Sequence, residues 1–493
     1  MLHNAQQPVR PDGPRPLKPI DNPARFFHDG HDFIDDALIH ELLEKNSKPE
    51  PSAVREVIAK ARSLQRLEPA EAALLANVTD EELWEEIFAA AADIRQHVYG
   101  PRVVTFAPVY CGNICENSCL YCGFRAENKE IRRMLLNMEE LAEEIRALVK
   151  LGHKRSVLVF GEHRRSGVDY IQESIKTVYN TKVGNGEIRR VNINAAPMTV
   201  DDYKVLHDVG IGTFQVFQET YHHETYKRVH PRGPKSNYPW RLYALHRAQE
   251  AGIDDVAIGA LLGLYDWRFE LLGLLYHTID LEKTFGGIGP HTISFPRLRH
   301  ASGAPLCDTD NPYLVSDRDF LRMIAVIRLM VPYTGMIITA REPREVRMPA
   351  LKNACTQTDA STRIGLAGYA QKDYDQDEHR QQFMLGDTRE LDEVVCELAE
   401  AGFLTSFCTA GYRCGRTGSS FMAIARKGEV HKFCIPNAIL TLAEYLRDYA
   451  SPKTKEVGEK LIQEKIAELS PGMSGRVSHL LEEVNRGGRD IRL

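Results

Sequence analysis

Between about residue 103 and residue 363 the chain alternates short β-prone apolar runs with amphipathic stretches of helical period. That alternation restricts the fold more than any other feature of its 493 residues. Strands are predicted over Val103–Tyr110, Arg155–Phe160, Arg190–Asn194, Thr213–Gln218, Asp255–Leu262, His291–Pro296 and Met336–Ala340. Helices are predicted between them, over Met138–Leu151, Tyr170–Tyr179, Asp201–Val209, Trp240–Ala251, Trp267–Thr284 and Arg318–Val331, with Arg344–Ala354 after the last strand. Such units build parallel sheets. Seven clear ones and a weaker eighth strand near Cys355–Arg363 predict an α/β fold, a (β/α)8 barrel of the TIM type. A doubly wound open sheet is the alternative, but no G-x-G-x-x-G opens the first unit. In a barrel the chemistry belongs just past the C-terminal ends of the strands. Glu162, Asn194, Gln218, Glu219 and Arg341 fall there, as does a cysteine-rich loop after the first strand.

The flanks read differently. Residues 1–30 are rich in proline without an apolar core; they read as an extended arm, neither signal peptide nor membrane span. Residues 31–100 carry apolar positions at helical spacing and read as a helical layer over one end of the barrel, with Asp80 as an N-cap before Glu81 and Glu82. The barrel is expected over 101–364. Residues 365–493 form a C-terminal extension: a polar loop, Gly365–Gln382, over the barrel, then helices at Leu391–Ala401, Ala438–Tyr449, Val457–Leu469 and Val477–Val484. A net charge of −6 without long runs of like charge argues against a broad nucleic-acid-binding face. Phe320–Ala340, the most apolar later stretch, contains Arg322, Arg328 and Pro332, so it reads as a helix and a strand and not as a membrane crossing. A cytoplasmic enzyme follows by default, and its ten cysteines are more readily reduced thiols or metal ligands than disulfides.

Cys115, Cys119 and Cys122 are spaced C-x3-C-x2-C, close enough for one short loop to wrap a single cluster. A [4Fe–4S] cubane normally takes four thiolates, so three leave one iron open to a small molecule. The spacing, with Tyr121 before the last cysteine, resembles the signature of the radical S-adenosylmethionine (SAM) enzymes. Structural zinc, with Cys111 as a fourth ligand, and unligated core cysteines are the alternatives.

The likeness extends beyond this loop. Gly184–Ile193, Phe217–His222, His230–Lys235, Ala251–Asp254 through Leu264–Trp267, Gly289–Ser294 and Pro332–Met336 resemble the HydG family, as do Ser406–Ala410, Gly415–Gly418 and Phe433–Ala438 in the tail. HydG-type enzymes are radical SAM tyrosine lyases that help assemble the active-site cluster of [FeFe]-hydrogenase. The related 2-iminoacetate synthase ThiH resembles the barrel but lacks the extension. The resemblance implies that Cys115, Cys119 and Cys122 hold a [4Fe–4S] cluster and that SAM chelates its open iron. Reduction of this pair yields a 5′-deoxyadenosyl radical, which a closed barrel must shield. It further implies that Glu162 meets the SAM amino group and that Tyr121 contacts adenine. Asn194 and Gln218 are weaker cofactor-binding candidates, for which polar barrel filling is the alternative. Arg341 is matched to the substrate carboxylate, where a fork of donors suits bidentate capture, and Glu219 is a second catalytic candidate. A helix cap for Glu162 and an ion pair with Glu342 for Arg341 are the bland alternatives. The implied substrate is L-tyrosine, cleaved between Cα and Cβ to p-cresol and dehydroglycine (2-iminoacetate). In HydG-type enzymes dehydroglycine then gives carbon monoxide and cyanide at a second, C-terminal cluster, for hydrogenase maturation. An electron donor such as ferredoxin or flavodoxin and other hydrogenase maturation proteins are the implied partners, with no nucleic acid and no membrane. A ThiH-like synthase without carbon monoxide and cyanide formation, and a non-enzymatic iron–sulfur scaffold, remain the other readings.

One departure matters. The family carries C-x2-C-x22-C in the extension. Here Cys408 and Cys434 take the outer positions but Gly411 takes the middle one. Cys414 could substitute if the loop bends back, since six residues span at most about 20 Å. His291 opens its strand and is therefore expected at the N-terminal mouth, roughly 20 Å from the other. An extension docked there would put His291 near Cys408 and Cys434, matching the family's histidine ligand to the extra iron of the second cluster.

Overall fold

In the computed structural model residues 17–308, 310–371 and 374–493 are described, so residues 1–16 of the arm lie outside the described residues. Among the described residues four α-helices precede the barrel: α1 (Asp36–Lys45), α2 (Pro51–Arg62), α3 (Pro69–Ala76) and α4 (Glu81–Tyr99). The Asp80 carboxylate accepts from the amides of Glu82 and Leu83 at 2.8 and 3.2 Å, so α4 starts at the expected cap; it stops at Gly100, whose φ of 63° favours glycine. One face of α4, including Leu83, Trp84, Ile87, Ile94 and Val98, is buried. Residues 17–35, the described part of the arm and its continuation, lie along the barrel flank. Arg25 pairs with Glu250, and Phe26 stacks on Tyr243 with centroids 5.4 Å apart.

The expected barrel is observed. β1 (Arg102–Gly112) is buried along nearly its whole length, as a strand covered on both faces must be. It is followed by α5 (Met138–Lys150), β2 (Arg155–Phe160), α6 (Val168–Asn180) and a small hairpin, β3 (Lys182–Val183) with β4 (Gly186–Glu187), that the alternation does not announce. Next come β5 (Arg190–Asn194), α7 (Val200–Val209), β6 (Phe214–Gln215), α8 (His223–Val229), α9 (Tyr238–Leu242), α10 (Ala244–Glu250) and β7 (Val256–Gly259). The circuit ends with α11 (Trp267–Thr284), β8 (Thr292–Ser294), α12 (Asp317–Met330), β9 (Gly335–Ile338), α13 (Arg344–Asn353) and β10 (Gln357–Asp359). β1, β2 and β5 to β10 pair in parallel in that order, and β10 returns to β1 through Val104↔Gln357, Thr105↔Thr358 and Phe106↔Asp359. The weakly marked eighth strand is therefore the one that closes the barrel.

The extension comprises α14 (Leu391–Glu400), β11 (Leu404–Ser406), α15 (Ala410–Arg413), α16 (Gly418–Arg426), α17 (Val430–Asp448), α18 (Pro452–Ala467) and α19 (Pro471–Asn485). β11 adds in parallel to the first residues of β1, Arg102↔Leu404 through Val104↔Ser406, which delivers residue 408 to the N-terminal mouth. A buried clamp fixes α17 against the barrel: Glu444 accepts from Arg189 at 2.6 Å and lies 3.1 Å from the Lys154 ammonium. Among the described residues no helix is long and apolar enough to cross a membrane.

Candidate active site

The loop after β1 is stitched to two other segments, residues 229–232 and the stretch around Gln382. The amide of Leu120 donates to Val229 O at 3.0 Å, that of Ser118 to Arg232 O at 3.1 Å, and that of Gly123 to Gln382 O at 3.2 Å. The result points Cys115, Cys119 and Cys122 into a cavity of about 230 Å³ at the C-terminal mouth. The Gln382 amide donates to the Cys122 sulfur at 3.3 Å and the Asn117 amide to the Cys115 sulfur at 3.6 Å. Burial pushes the Cys115 and Cys119 thiols up, with Lys235 opposing this at Cys119. Cys111 faces the other way: it is fully buried in the core, so the four-ligand zinc alternative lacks its fourth sulfur.

Glu162 lies on the same wall. Its carboxylate accepts from Asn117 Nδ2 at 2.7 Å, and Gly161 makes this approach feasible, because a Cβ there would sit 2.3 Å from Ile114 O. Tyr121 and Asn194 also line the cavity, the Tyr121 hydroxyl sharing a hydrogen bond with His230 Nε2 at 2.7 Å.

Opposite stand Arg341 and Glu219. The Arg341 guanidinium lies 3.3 Å from the centre of the Phe383 ring and makes one long hydrogen bond, 3.4 Å, to Arg297 O. Glu342 does not partner it: that carboxylate is taken by Arg297 and Arg299, which removes the ion-pair alternative. Glu219 has a φ of 73° and is held by Lys235 at 2.6 Å and Arg241 at 3.4 Å. Burial pushes its carboxyl up, but Lys235 and Arg241 outweigh this and hold it below the ordinary range, so it is ionised at neutral pH.

Gln218 is a correction. Gln215, Phe217 and Glu219 face the cavity, whereas Gln218 is buried on the other side with both amide atoms lacking partners among the described residues. Successive residues of an extended segment point to opposite faces, so Gln218 cannot share the wall with Glu219. Sequence reading overlooked Asn117, Lys235, Arg241 and Gln382. The first sits inside the cysteine loop, and the second in the run His230–Lys235, where a lysine beside glycine and proline was the available signal.

At the opposite mouth a second cavity is lined by Cys408, Cys434 and His291, the grouping expected of a docked extension. The His291 ring packs on Phe421 at 4.3 Å, and its Nδ1 lies 2.7 Å from Asp255 Oδ1. Burial pushes the Cys408 thiol up, but Arg190, Arg102 and Arg155 outweigh it and lower it below the usual value. Cys414 is the second correction: it is exposed and not among the lining residues, because Ala410–Arg413 winds into a helical turn that carries it outward. Among the described residues no three His, Cys, Asp or Glu side chains converge on a point as a single metal ion requires.

The Radical SAM superfamily pattern matches residues 109–270, and the Biotin and Thiamin Synthesis associated domain matches residues 294–404. The 2-iminoacetate synthase of Salmonella typhimurium is 29% identical over 320 residues, 64% of this chain and 81% of that protein. A crystal structure of HydG, a maturase of the [FeFe]-hydrogenase, superposes with a TM-score of 0.90 at 45% identity, covering 94% of this chain and all of the other. The FeFe-hydrogenase maturase HydG from Carboxydothermus hydrogenoformans gives 0.78 at 37% identity, covering 90% and 97%. The parallel barrel with its three-cysteine loop thus defines a radical SAM enzyme, a lyase by its kinship. Within that class the chain belongs to the HydG family.

Radical SAM membership implies a [4Fe–4S] cluster and SAM, and the upper cavity fits them. Three thiols face it, amide donors reach two of the sulfurs, and a carboxylate stands beside them. The lower cavity does not fit a second cluster on three thiolates, because it offers two.

Proposed function

We propose that this enzyme cleaves the Cα–Cβ bond of L-tyrosine, giving p-cresol and 2-iminoacetate. The observation that carries the reading is the single upper cavity in which the three thiols and Glu162 face Arg341 and Glu219. Cys115, Cys119 and Cys122 would hold the cluster, and Glu162, oriented by Asn117, would take the SAM amino group, with Tyr121 and Asn194 beside the nucleoside. Bound together, the reduced cluster and SAM supply a 5′-deoxyadenosyl radical. The chain's own residues then bind and orient. Arg341, stacked on Phe383 and without a carboxylate ion pair among the described residues, presents its fork to the substrate carboxylate. Glu219, kept ionised by Lys235 and Arg241, offers an anion to the substrate ammonium. Gln382 and Phe383 belong to the segment that covers the mouth and excludes water.

Two continuations are open to 2-iminoacetate. The HydG type proceeds to carbon monoxide and cyanide at a second cluster, for hydrogenase maturation with an electron donor such as ferredoxin or flavodoxin. The ThiH type releases 2-iminoacetate, and the outward position of Cys414 beside Gly411 favours that second continuation. Anaerobically reconstituted protein given dithionite, SAM and tyrosine should form p-cresol and 5′-deoxyadenosine. Absence of p-cresol would sink the lyase reading. Trapping cyanide and carbon monoxide in the same vials separates the continuations, and their appearance in stoichiometric yield would overturn the ThiH-type choice.

A further inference from the structure

Residues 113–137, between β1 and α5, form neither helix nor strand, so their backbone carbonyls need hydrogen-bond partners from elsewhere. Arg133 serves four of them. Its Nη1 donates to Asn113 O and to Phe124 O, each at 2.8 Å, and its Nη2 to Arg125 O at 2.5 Å and to Asn128 O at 3.0 Å. One half-buried guanidinium thus ties the backbone just before Cys115 to the backbone just after Cys122. A rigid fork with several donors can do this, whereas a point charge such as an ammonium cannot reach four carbonyls in fixed directions.

All four acceptors are neutral. Arg125 pairs with Glu127 at 3.1 Å and Lys235 with Glu219 at 2.6 Å, whereas among the described residues Arg133 makes no ion pair with a carboxylate. Burial pushes the Arg133 guanidinium down, and the Cys115 and Cys122 sulfurs, as thiolates, are the charges that oppose this. A [4Fe–4S] core in its resting state on three thiolates carries a net charge of about −1, which one-electron reduction takes to about −2. A fixed cation acting on two of the three ligand sulfurs therefore stabilises the reduced state more than the oxidised one. The electron comes from an external one-electron donor, and no bond is made or broken in this step. The next residue along the chain gives the contrast: Arg132 is exposed, so water and salt screen its charge.

We propose that Arg133 is a positioning residue of the cluster site: its fork closes the cysteine loop, and its charge, uncompensated by any carboxylate among the described residues, raises the reduction potential of the cluster the loop holds. The inference rests on Cys115, Cys119 and Cys122 holding that cluster, and it is independent of which molecule the enzyme cleaves.

The test uses the full chain, reconstituted anaerobically without SAM. The reduced cluster is followed by electron paramagnetic resonance in a redox titration, and iron release to a chelator is followed by absorbance. In Arg133→Gln, at the wild-type midpoint, the reduced-to-oxidised ratio should fall about tenfold, a shift of about 59 mV to more negative potential for one electron. Arg133→Lys keeps the charge and loses the fork, so its ratio should stay within threefold of wild type while iron is released at least fivefold faster. Arg132→Gln should match wild type in both readouts. If Arg133→Gln does not hold a cluster, the lysine variant carries the test, and wild-type rates of iron release in it overturn the proposal. A ratio within twofold of wild type in Arg133→Gln, equal shifts in the glutamine and lysine variants, or the same shift in Arg132→Gln also overturn it. Wild-type protein that takes up no iron sinks the cluster assignment itself, and that result is read before any variant is made.

Discussion

Replacing Arg341 by lysine probes the substrate-carboxylate assignment most directly. The guanidinium is fixed by the Phe383 ring at 3.3 Å and spends one N–H on Arg297 O, so the remaining donors of the fork are available at the cavity wall. A lysine keeps the charge but loses the planar fork and the stacking. Charge-assisted hydrogen bonds are worth about 1.5–3 kcal/mol each. Losing one therefore lowers kcat/KM for tyrosine by roughly 10- to 150-fold, at about 1.4 kcal/mol per decade. Because Glu342 belongs to Arg297 and Arg299, the substitution leaves no neighbouring carboxylate stranded, and the fold should be unaffected. The assay measures p-cresol by chromatography with tyrosine and with tyramine, which lacks the carboxylate. The wild type should strongly prefer tyrosine, and Arg341→Lys should lose most of that preference while still cleaving SAM at a slow basal rate. A variant whose kcat/KM for tyrosine stays within twofold of wild type, or whose preference over tyramine is intact, would refute the role of Arg341.

Three further outcomes are expected. Cys115→Ala should abolish the brown chromophore and 5′-deoxyadenosine formation, whereas Cys408→Ala should leave about four irons per chain, as one cubane requires; iron and sulfide analysis distinguishes them. Asn117→Ala removes the donor that orients Glu162, and should raise the KM for SAM roughly tenfold, for a lost charge-assisted bond of about 1.5 kcal/mol, without changing the iron content. Burial pushes the Glu444 carboxyl up, but Arg189 and Lys154 outweigh it and lower it from 4.5 to about 2, so its contribution is fully present above pH 4.5 and lost as pH falls towards 2. The difference amounts to about 3 kcal/mol at 1.36 kcal/mol per unit. Urea unfolding should show wild type losing stability across that window, and Glu444→Gln, already weakened at pH 7, losing less; equal pH slopes would refute the clamp.

The order of strands and helices was written in the local pattern, because amphipathic period and β-branched runs are properties of neighbouring residues. β2, β5 and α11 fall on the residues that periodicity marks, and the three-cysteine loop announces a cluster by spacing alone. Residues at strand ends, Glu162, Asn194, Glu219 and Arg341, were legible once a barrel was assumed, since its topology sends every strand's C-terminal end to one mouth. Gln218 was not, because which of two adjacent side chains faces inward depends on register, and register is settled by pairing with β7. The partners of Arg341 and Glu219 were equally hidden: Phe383 and Lys235 come from distant parts of the chain. At the lower mouth the grouping of His291 with Cys408 and Cys434 was expected from the sequence, whereas their cationic surroundings and the place of Cys414 were decided by tertiary structure. Addition of β11 beneath β1 brings Cys408 to Arg102, α17 brings Cys434, and one turn of helix carries Cys414 away from both. Spacing in a sequence limits how far apart two residues can be. Only packing decides whether they point at the same space.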